Sequence, residues 1–364
     1  MLHQPLRMID ANLNRSGEGL RVLEDVARFV LNNAELCQGL RTLRHDLAQE
    51  TKALRVGLLS QRNAENDAGH LNDISPSEKK LNVKTTSLQD LLDLVTANAK
   101  RVEQSLRVIE ELAKLPEINS KLNPANFEQA RFTLYTLERD LISRISRRDK
   151  MEIISGLYVI LDKQLLNGRD ELFVTKKIIE GGGRIIQLRD KQSKKGELLL
   201  AAQKLRDLCN KAGILFIIND HLDLAIAVGA DGLHIGQEDL PLSVIRRELP
   251  IDKIIGCSAR TLSQAVKAQT EGADYIAVGS IFTTTTKREA TVVGLDTLQE
   301  IKRTVSIPVI AIGGINHDNV DEVVAAGADS IAVVSAVLSA EDVKGAVQKL
   351  VTKIDLVKER CQNQ

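Results

Sequence analysis

Apolar residues recur at two different spacings along the chain. In the first part they recur every three to four residues, as at Leu20, Leu23 and Val26, which is the spacing of one helix face. Later, short continuous apolar runs alternate with helical segments, a pattern typical of parallel strands buried on both faces. The two patterns predict an all-α domain at residues 1–148 and an α/β domain at residues 149–364.

The first domain contains an internal repeat. Pairing each residue n with residue n + 86 aligns Ala11–Arg28 with Ala97–Lys114, and both blocks are amphipathic. A second helical pattern follows in each half, at about Leu36–Leu54 and Asn126–Ile145, and the polar segment Val56–Ser87 separates the halves. The repeat predicts a helical hairpin used twice and packed as a bundle.

Dense polar side chains fall near the expected start of the first helix, where free backbone N–H groups can bind anions. Capping and solvation account for some of them, and on physical grounds alone a dimerisation module is the favoured interpretation. No GxxxxGK[ST] motif is present, so any nucleotide chemistry here is not of the P-loop kind. These residues are Asp10, Asn12, Asn14, Arg15, Glu18 and Arg21.

The second domain shows eight strand-like runs separated by helical segments, which predicts a (β/α)8 TIM barrel. A doubly wound sheet is the alternative, but it would normally carry a glycine fingerprint after its first strand, and none follows Leu161. The runs are Leu157–Leu161, Ile185–Leu188, Ile214–Ile218, Gly232–Ile235, Lys253–Cys257, Tyr275–Val278, Pro308–Ile312 and Ser330–Val334. The charged run Arg147–Lys150 before them reads as a hinge.

Composition narrows the classes of partner. Lys+Arg and Asp+Glu both number 49, so no global field favours nucleic acid or an anionic membrane. Aromatic residues make up only 2%, which argues against base stacking. The four scattered cysteines form no CxxC motif, and no apolar run is long enough to span a bilayer. We expect a cytoplasmic protein with small-molecule substrates and no nucleic acid or membrane partner; a homo-oligomer stays open.

In a barrel the site lies where the strands end, so the residues after each run belong together. Arg189, Lys191 and Lys287 can neutralise a diphosphate. Asp220 and Asp239 follow adjacent strands and supply the hard oxygen ligands that suit Mg2+ bound together with a substrate phosphate.

A second anion site is expected at the last two strands. Gly313, Gly314 and Ser335 match the usual barrel phosphate site, in which backbone N–H groups hold a monoester. His221 and His234 receive structural interpretations, because neither has a partner histidine at metal-ligand spacing. A Schiff-base aldolase would need a lysine inside a strand, and a metal-dependent epimerase would need histidines at strand ends. Neither arrangement is present.

Six runs together resemble the thiamine-phosphate synthase family over nearly all of residues 155–350: QLRDK, IINDHLDLA, ADGLHIGQEDL, DYIAVGSIFTTTTK, PVIAIGGI and ADSIAVVSA. The resemblance implies a transferase that joins two small molecules. The ring nitrogen of hydroxyethylthiazole phosphate displaces the diphosphate of hydroxymethylpyrimidine diphosphate, giving thiamine phosphate. It also implies Mg2+ as the cofactor.

The resemblance assigns residue roles. The pyrimidine diphosphate would be held by Gln187, Arg189, Lys191, Asn219, Ser258 and Lys287, of which Arg189, Lys191 and Lys287 would act in catalysis. Asp220 and Asp239 would bind Mg2+. The thiazole phosphate would be held by Thr284, Thr286, Gly314, Val334 and Ser335. The family commonly has prolines where this chain has Ser280 and Thr283, which leaves the rigidity of that loop open.

The run IDANLNRSGEGLRVLEDVARF resembles the helical domain that precedes thiamine-phosphate synthase in cyanobacterial-type bifunctional proteins. That resemblance covers most of residues 5–145 and implies phosphorylation of hydroxymethylpyrimidine phosphate to the diphosphate, without residue roles. Two alternatives stay open: a non-catalytic helical assembly domain, and a barrel that binds another phosphate ligand.

Overall fold

The computed structural model describes residues 3–60, 87–284 and 291–362. The chain folds as two compact units, Met1–Ser146 and Arg147–Gln364. Within the described ranges, no helix is both long enough and apolar enough to cross a membrane.

The N-terminal unit is entirely helical where it is described. The helices are α1 (His3–Asp25), α2 (Ala34–Glu50), α3 (Arg55–Ser60), α4 (Leu88–Ala113), α5 (Pro116–Asn119) and α6 (Pro124–Ile153), with a π-helical turn at Val26–Val30 and a 3-10 turn at Lys52–Leu54. The last residues of α6, from Arg147 onward, belong to the second unit. The two copies of the repeat, α1 and α4, pack against each other. The predicted bundle of two related hairpins is confirmed.

Sequence-encoded caps fix where two of these helices begin. Asn33 accepts a hydrogen bond from the backbone N–H of Leu36 at 2.8 Å at the start of α2. At the start of α4, the Ser87 hydroxyl accepts from the Asp90 N–H at 3.1 Å while the Asp90 carboxylate accepts from the Ser87 N–H at 2.9 Å.

The charged run Arg147–Lys150, predicted as a hinge, is helical: it lies inside α6 and begins the second unit. Arg147 is buried, and its Nε donates to the Asp274 carboxylate at 2.9 Å. Lys150 pairs with the Asp252 carboxylate. The helix continues through the run because carboxylates about a hundred residues later compensate its charges, which the local sequence does not show.

The C-terminal unit contains a closed barrel of eight parallel strands, and β8 pairs with β1 through Gly156 opposite Ser330. The strands are β1 (Gly156–Asp162), β2 (Ile185–Arg189), β3 (Leu215–Asn219), β4 (Gly232–Ile235), β5 (Ile254–Ala259), β6 (Tyr275–Val278), β7 (Val309–Ile312) and β8 (Ser330–Val333). The predicted TIM barrel is confirmed. A doubly wound sheet is excluded because the sheet closes.

Helices follow the strands around the barrel: α7 (Glu171–Glu180), α8 (Lys195–Ala212), α9 (Leu222–Ala227), α10 (Leu242–Glu248), α11 (Leu262–Thr270), α12 (Gly294–Thr304), α13 (Val320–Ala325), α14 (Ser335–Leu338) and α15 (Val343–Gln362). Strand residues alternate between two apolar clusters. In β1, Val159 and Leu161 join the cluster that includes the helices, whereas Tyr158 and Ile160 join the cluster inside the barrel. Both strand faces are therefore buried, and the strand ends remain as the place for polar chemistry.

Candidate active site

A network of polar side chains lies inside the barrel and includes two of the predicted site residues. Gln187 of β2 donates from Nε2 to Oδ1 of Asn219 on β3 at 2.6 Å. The Tyr158 hydroxyl donates to Gln187 Oε1 at 2.6 Å and lies 3.1 Å from the Tyr275 hydroxyl. The two amides are therefore fixed in orientation, since each hydrogen bond restricts the next.

The network continues to the opposite strands. His234 Nδ1 lies 3.2 Å from the Tyr275 hydroxyl, and His234 Nε2 lies 3.0 Å from Ser258 Oγ. Burial lowers the pKa of His234 to about 4, so the imidazole is neutral at pH 7. Its structural interpretation agrees with these contacts, because both ring nitrogens bond within the network.

A glycine makes room for the central tyrosine of the network. A Cβ at Gly256 of β5 would lie 1.9 Å from Cζ of Tyr275. The two residues are directly paired across β5 and β6. Any side chain at Gly256 would therefore displace the ring that links His234 to Tyr158. Tyr158 and Tyr275 were missed in the sequence, although two tyrosines within aliphatic strands are a signal in a chain this poor in aromatic residues.

Arg189 is oriented by a residue that the sequence did not single out. Its Nη1 donates to the Asp162 carboxylate, and Asp162 lies opposite it in the β1–β2 register. The neighbouring Asp190 accepts from the backbone N–H groups of Gln192 at 2.9 Å and Ser193 at 3.0 Å. Asp190 therefore shapes the loop after β2, and the ion partner of Arg189 is Asp162.

The predicted metal ligands lie together. Burial raises the pKa of Asp220, and so do the charge of Asp239 and a hydrogen bond shared with it, while Lys191 acts in the opposite direction. Asp239 also accepts from the backbone N–H of Gly236 at 2.7 Å. Two neighbouring carboxylates, of which Asp220 is partly withdrawn from solvent, are hard oxygen ligands that would suit Mg2+. In the described parts of the chain, no group of three or more His, Cys, Asp or Glu side chains is arranged to hold a metal.

The first residues of the loops after β6 and β7 contact each other. The Phe282 N–H donates to the Gly313 carbonyl at 3.0 Å. Gly314 has φ +68°, and a Cβ there would lie 2.4 Å from the Thr283 carbonyl oxygen. Only glycine suits this position, because both the backbone angle and the close approach exclude a side chain. Gly314 therefore lies against Thr283, the first threonine of the loop after β6.

Of the other residues predicted to hold the thiazole phosphate, the structure describes some and leaves others out. Val334 follows β8 and Ser335 begins α14, and both are half-buried. Thr284 is described, whereas Thr286 and Lys287 lie outside the described residues. Ser280, at one position where relatives commonly have proline, donates to the Phe282 carbonyl at 2.6 Å and accepts from the Val293 N–H at 2.8 Å. These bonds hold the start of the loop without a proline ring.

In the N-terminal unit, one expectation is wrong. Asp10 through Arg21 do not stand at a helix start, because α1 begins at His3. Their backbone N–H groups are used inside the helix, so an anion could be bound only by side chains. Glu24 and Glu110 occupy equivalent positions of the internal repeat, and sequence reasoning did not predict a role for either carboxylate. Each is buried and bonded to arginines of the unit: Arg41 and Arg44 for Glu24, and Arg107 and Arg131 for Glu110.

Comparison with known proteins agrees with this architecture. Residues 157–337 match the thiamine monophosphate synthase family, and residues 7–140 match the ThiD2 family. The chain is 36% identical over 355 residues to a thiamine-phosphate synthase of Nostoc punctiforme, covering 97% of this chain and 95% of the relative. The chain belongs to the thiamine-phosphate synthase family.

Two further relatives support the assignment of the family. A thiamine-phosphate synthase of Synechocystis is 36% identical over 352 residues, covering 96% of each chain. The solved thiamine phosphate pyrophosphorylase of Pyrococcus furiosus is 40% identical, with a TM-score of 0.54, and covers 57% of this chain and 98% of its own. Members of the family are transferases, so the constellation at the strand ends is the candidate active site.

Proposed function

We propose that the barrel condenses hydroxymethylpyrimidine diphosphate with hydroxyethylthiazole phosphate, releasing diphosphate and thiamine phosphate. The observation that carries the proposal is the convergence of Lys191, Asp220 and Asp239 at the strand ends. This convergence stands beside the oriented amides of Gln187 and Asn219. A cation and a carboxylate pair beside rigid amides suit a substrate with a diphosphate at one end and a polar ring at the other.

The chemistry needs no general base. The thiazole nitrogen already carries its lone pair, which forms the new C–N bond as the C–O bond to diphosphate breaks. The difficult step is the departure of diphosphate, and the electron-rich aminopyrimidine can carry the positive charge that develops. The protein therefore has to stabilise the leaving anion and exclude water. A neutral His234 within a closed hydrogen-bond network fits such a site.

The cations are assigned to the leaving group. Arg189 and Lys191 would contact the diphosphate, and Lys287 joins them through the resemblance to the family. Asp220 and Asp239 are the groups that would hold Mg2+, which when bound neutralises diphosphate charge. Ser258 hydrogen-bonds His234 and would contact the same substrate.

The thiazole phosphate is assigned to the other side of the mouth. Gly314 would supply a backbone N–H beside the threonine loop, whose Thr283 carbonyl approaches too closely for any side chain at this position. Thr284, Thr286, Val334 and Ser335 complete the proposed subsite. The two anions would then occupy separate places, with the reacting carbon and nitrogen between them.

Condensation from the two purified substrates tests this proposal. We expect full-length protein with Mg2+ to release thiamine phosphate and diphosphate in equal amounts, and chelation by EDTA to abolish the reaction. Binding of both phosphates without any product would instead favour a phosphate-binding barrel of another specificity.

For the N-terminal unit, we propose phosphorylation of hydroxymethylpyrimidine phosphate to the diphosphate. The match to the ThiD2 family over residues 7–140 supports this proposal. Full-length protein given ATP, Mg2+ and hydroxymethylpyrimidine phosphate should form the diphosphate, and thiamine phosphate once the thiazole phosphate is added. Failure of the first step, with condensation intact, would favour a non-catalytic assembly domain. We further propose that the two activities divide near residues 148 and 149, and that the protein is cytoplasmic, since its four cysteines are free thiols.

A further inference from the structure

A cavity of about 440 Å3 opens between α1 and α4 in the N-terminal unit. Its volume falls in the range of small-molecule sites. The polar residues that line it are Asn12, Arg15 and Glu18 of α1 and Arg101, Gln104 and Ser105 of α4. The cavity therefore lies within one unit and carries two guanidinium groups, one from each helix.

The two arginines occupy equivalent positions of the internal repeat, since 15 + 86 = 101. Both copies keep the same local geometry: Asn12 Nδ2 donates to the Met8 carbonyl at 2.8 Å, and Asn98 Nδ2 donates to the Leu94 carbonyl at 2.8 Å. The cavity thus lies between two related helix segments that place one arginine on each side.

The two copies of the repeat differ at two positions beside the cavity. Gly19 packs tightly, since a Cβ there would lie 2.6 Å from Cγ2 of Val102. Its equivalent in the second copy is Ser105, which lines the cavity. Glu18 likewise corresponds to Gln104. The close approach at Gly19 brings the helices together, and the second copy contributes hydrogen-bonding groups.

The polar groups of the cavity lack the partners that such groups have elsewhere in the unit. Ser105 is only 3% exposed, and its hydroxyl makes no hydrogen bond to any residue that the structure describes. Within the same ranges Arg15 has no ion pair, and Arg101 reaches only Asn98 Oδ1, at 3.4 Å. Because Ser105 lines the cavity, its hydroxyl is accessible from it, and a ligand can bond to this group without displacing a protein partner.

We propose that this cavity binds the phosphate monoester that the N-terminal unit uses as substrate, with the Arg15 and Arg101 side chains on either side of the phosphoryl group. Ser105 and Gln104 supply neutral hydrogen bonds. Two guanidiniums and one carboxylate, Glu18, leave a net positive charge, which suits an anion. This inference rests on the proposed phosphorylation of hydroxymethylpyrimidine phosphate and locates its site.

Kinetics of both reactions in the full-length protein test the proposal. We expect Arg15→Ala and Arg101→Ala each to raise KM for hydroxymethylpyrimidine phosphate by about tenfold or more, the loss of one charge-assisted bond. Condensation of preformed diphosphate with the thiazole phosphate should be unchanged. Arg139→Ala, which removes an exposed arginine of α6, is the control and should leave KM unchanged. Equal KM values in wild type, Arg15→Ala and Arg101→Ala would overturn the proposal.

Ser105→Ala separates binding from a structural role. Removal of a hydroxyl that faces the cavity and bonds to no described residue should leave the melting temperature nearly unchanged, whereas KM should rise. A lower melting temperature with unchanged KM would contradict the binding role.

If the wild-type protein forms no diphosphate from ATP, the proposed phosphorylation is wrong. Direct binding measurements then test whether the cavity is a ligand site. Calorimetric titration of hydroxymethylpyrimidine phosphate into the wild type and the Arg15→Ala/Arg101→Ala double variant is then the measurement. Loss of one binding event in the variant supports the cavity as a site, and identical titrations overturn it.

Discussion

The Arg189 guanidinium at the end of β2 donates to the Asp162 carboxylate at the end of β1. The two residues are direct partners in the parallel register, and Asp162 is buried. Asp162 also accepts from the backbone N–H of Gln164 at 3.1 Å, so its own position is fixed. A guanidinium has five N–H donors, and one ion pair leaves others to face a diphosphate. Asp162 is therefore a positioning residue for Arg189.

The first prediction concerns this pair. Asp162→Asn should raise KM for the pyrimidine diphosphate by about tenfold, because the guanidinium loses its charged anchor. Arg189→Ala should have a larger effect, since it removes the donor itself. In the Arg189→Ala background, Asp162→Asn should add little further change. Steady-state kinetics of the four proteins measure the coupling, and fully additive effects would show that Asp162 acts independently of Arg189.

The second prediction concerns the carboxylate pair. Asp220→Asn or Asp239→Asn should lower turnover by about a hundredfold or more, because each removes a charge that holds Mg2+ opposite the leaving group. Excess Mg2+ or Mn2+ should partly restore the rate. Glu238→Gln, the same chemical change at the exposed neighbour, serves as the control. Turnover is measured while the metal concentration is varied. If both aspartate variants kept the wild-type kinetics, neither residue would be a metal ligand.

Local pattern was enough to predict the barrel strands, and two of them, Gly232–Ile235 and Tyr275–Val278, match the structure residue for residue. Such agreement is expected, because a strand buried on both faces must be apolar throughout its length. The location of the polar site residues could also be predicted from the barrel, because all its parallel strands end at the same mouth.

Pairings across the barrel could not be predicted in the same way. The network joining Tyr158, Tyr275 and His234 links residues up to 117 positions apart. Arg147 likewise pairs with Asp274 over 127 positions, a partner that the local sequence does not indicate. Hydrophobic spacing reports which face of an element is buried, but it does not report which polar side chains meet there.

The third prediction tests the space that Gly256 leaves. Gly256→Ala should lower the melting temperature of the barrel and reduce condensation, because its Cβ would overlap the Tyr275 ring. The expected loss is about 1–3 kcal/mol in the free energy of unfolding. Gly196→Ala is the matched control, since it lies in α8 with no atom within 4 Å of the added Cβ. That change should be neutral or slightly stabilising. Equal melting temperatures for the two variants would contradict the packing argument.

The last prediction concerns how His234 links stability to pH. Its pKa is about 4 in the folded protein because of burial, against an ordinary value of 6.5. The unfolded chain therefore binds a proton that the folded protein excludes, and stability falls as the pH drops from 6.5 towards 4. Between pH 7.5 and pH 5, this single group should cost about 2 kcal/mol of the free energy of unfolding.

His234→Gln isolates that contribution, because the amide can still bond to Tyr275 and Ser258 but does not titrate. Other groups, including Glu138 with its pKa raised to about 7 by burial and by Glu103, contribute equally in both proteins. The difference between the wild type and the variant thus reports His234 alone. Urea unfolding at pH 7.5 and pH 5 should show a smaller acid-side loss in His234→Gln, by about 2 kcal/mol. Identical losses would mean that the imidazole is protonated within the fold, and the network from Asn219 to Ser258 would then carry a charge that the proposed chemistry does not use.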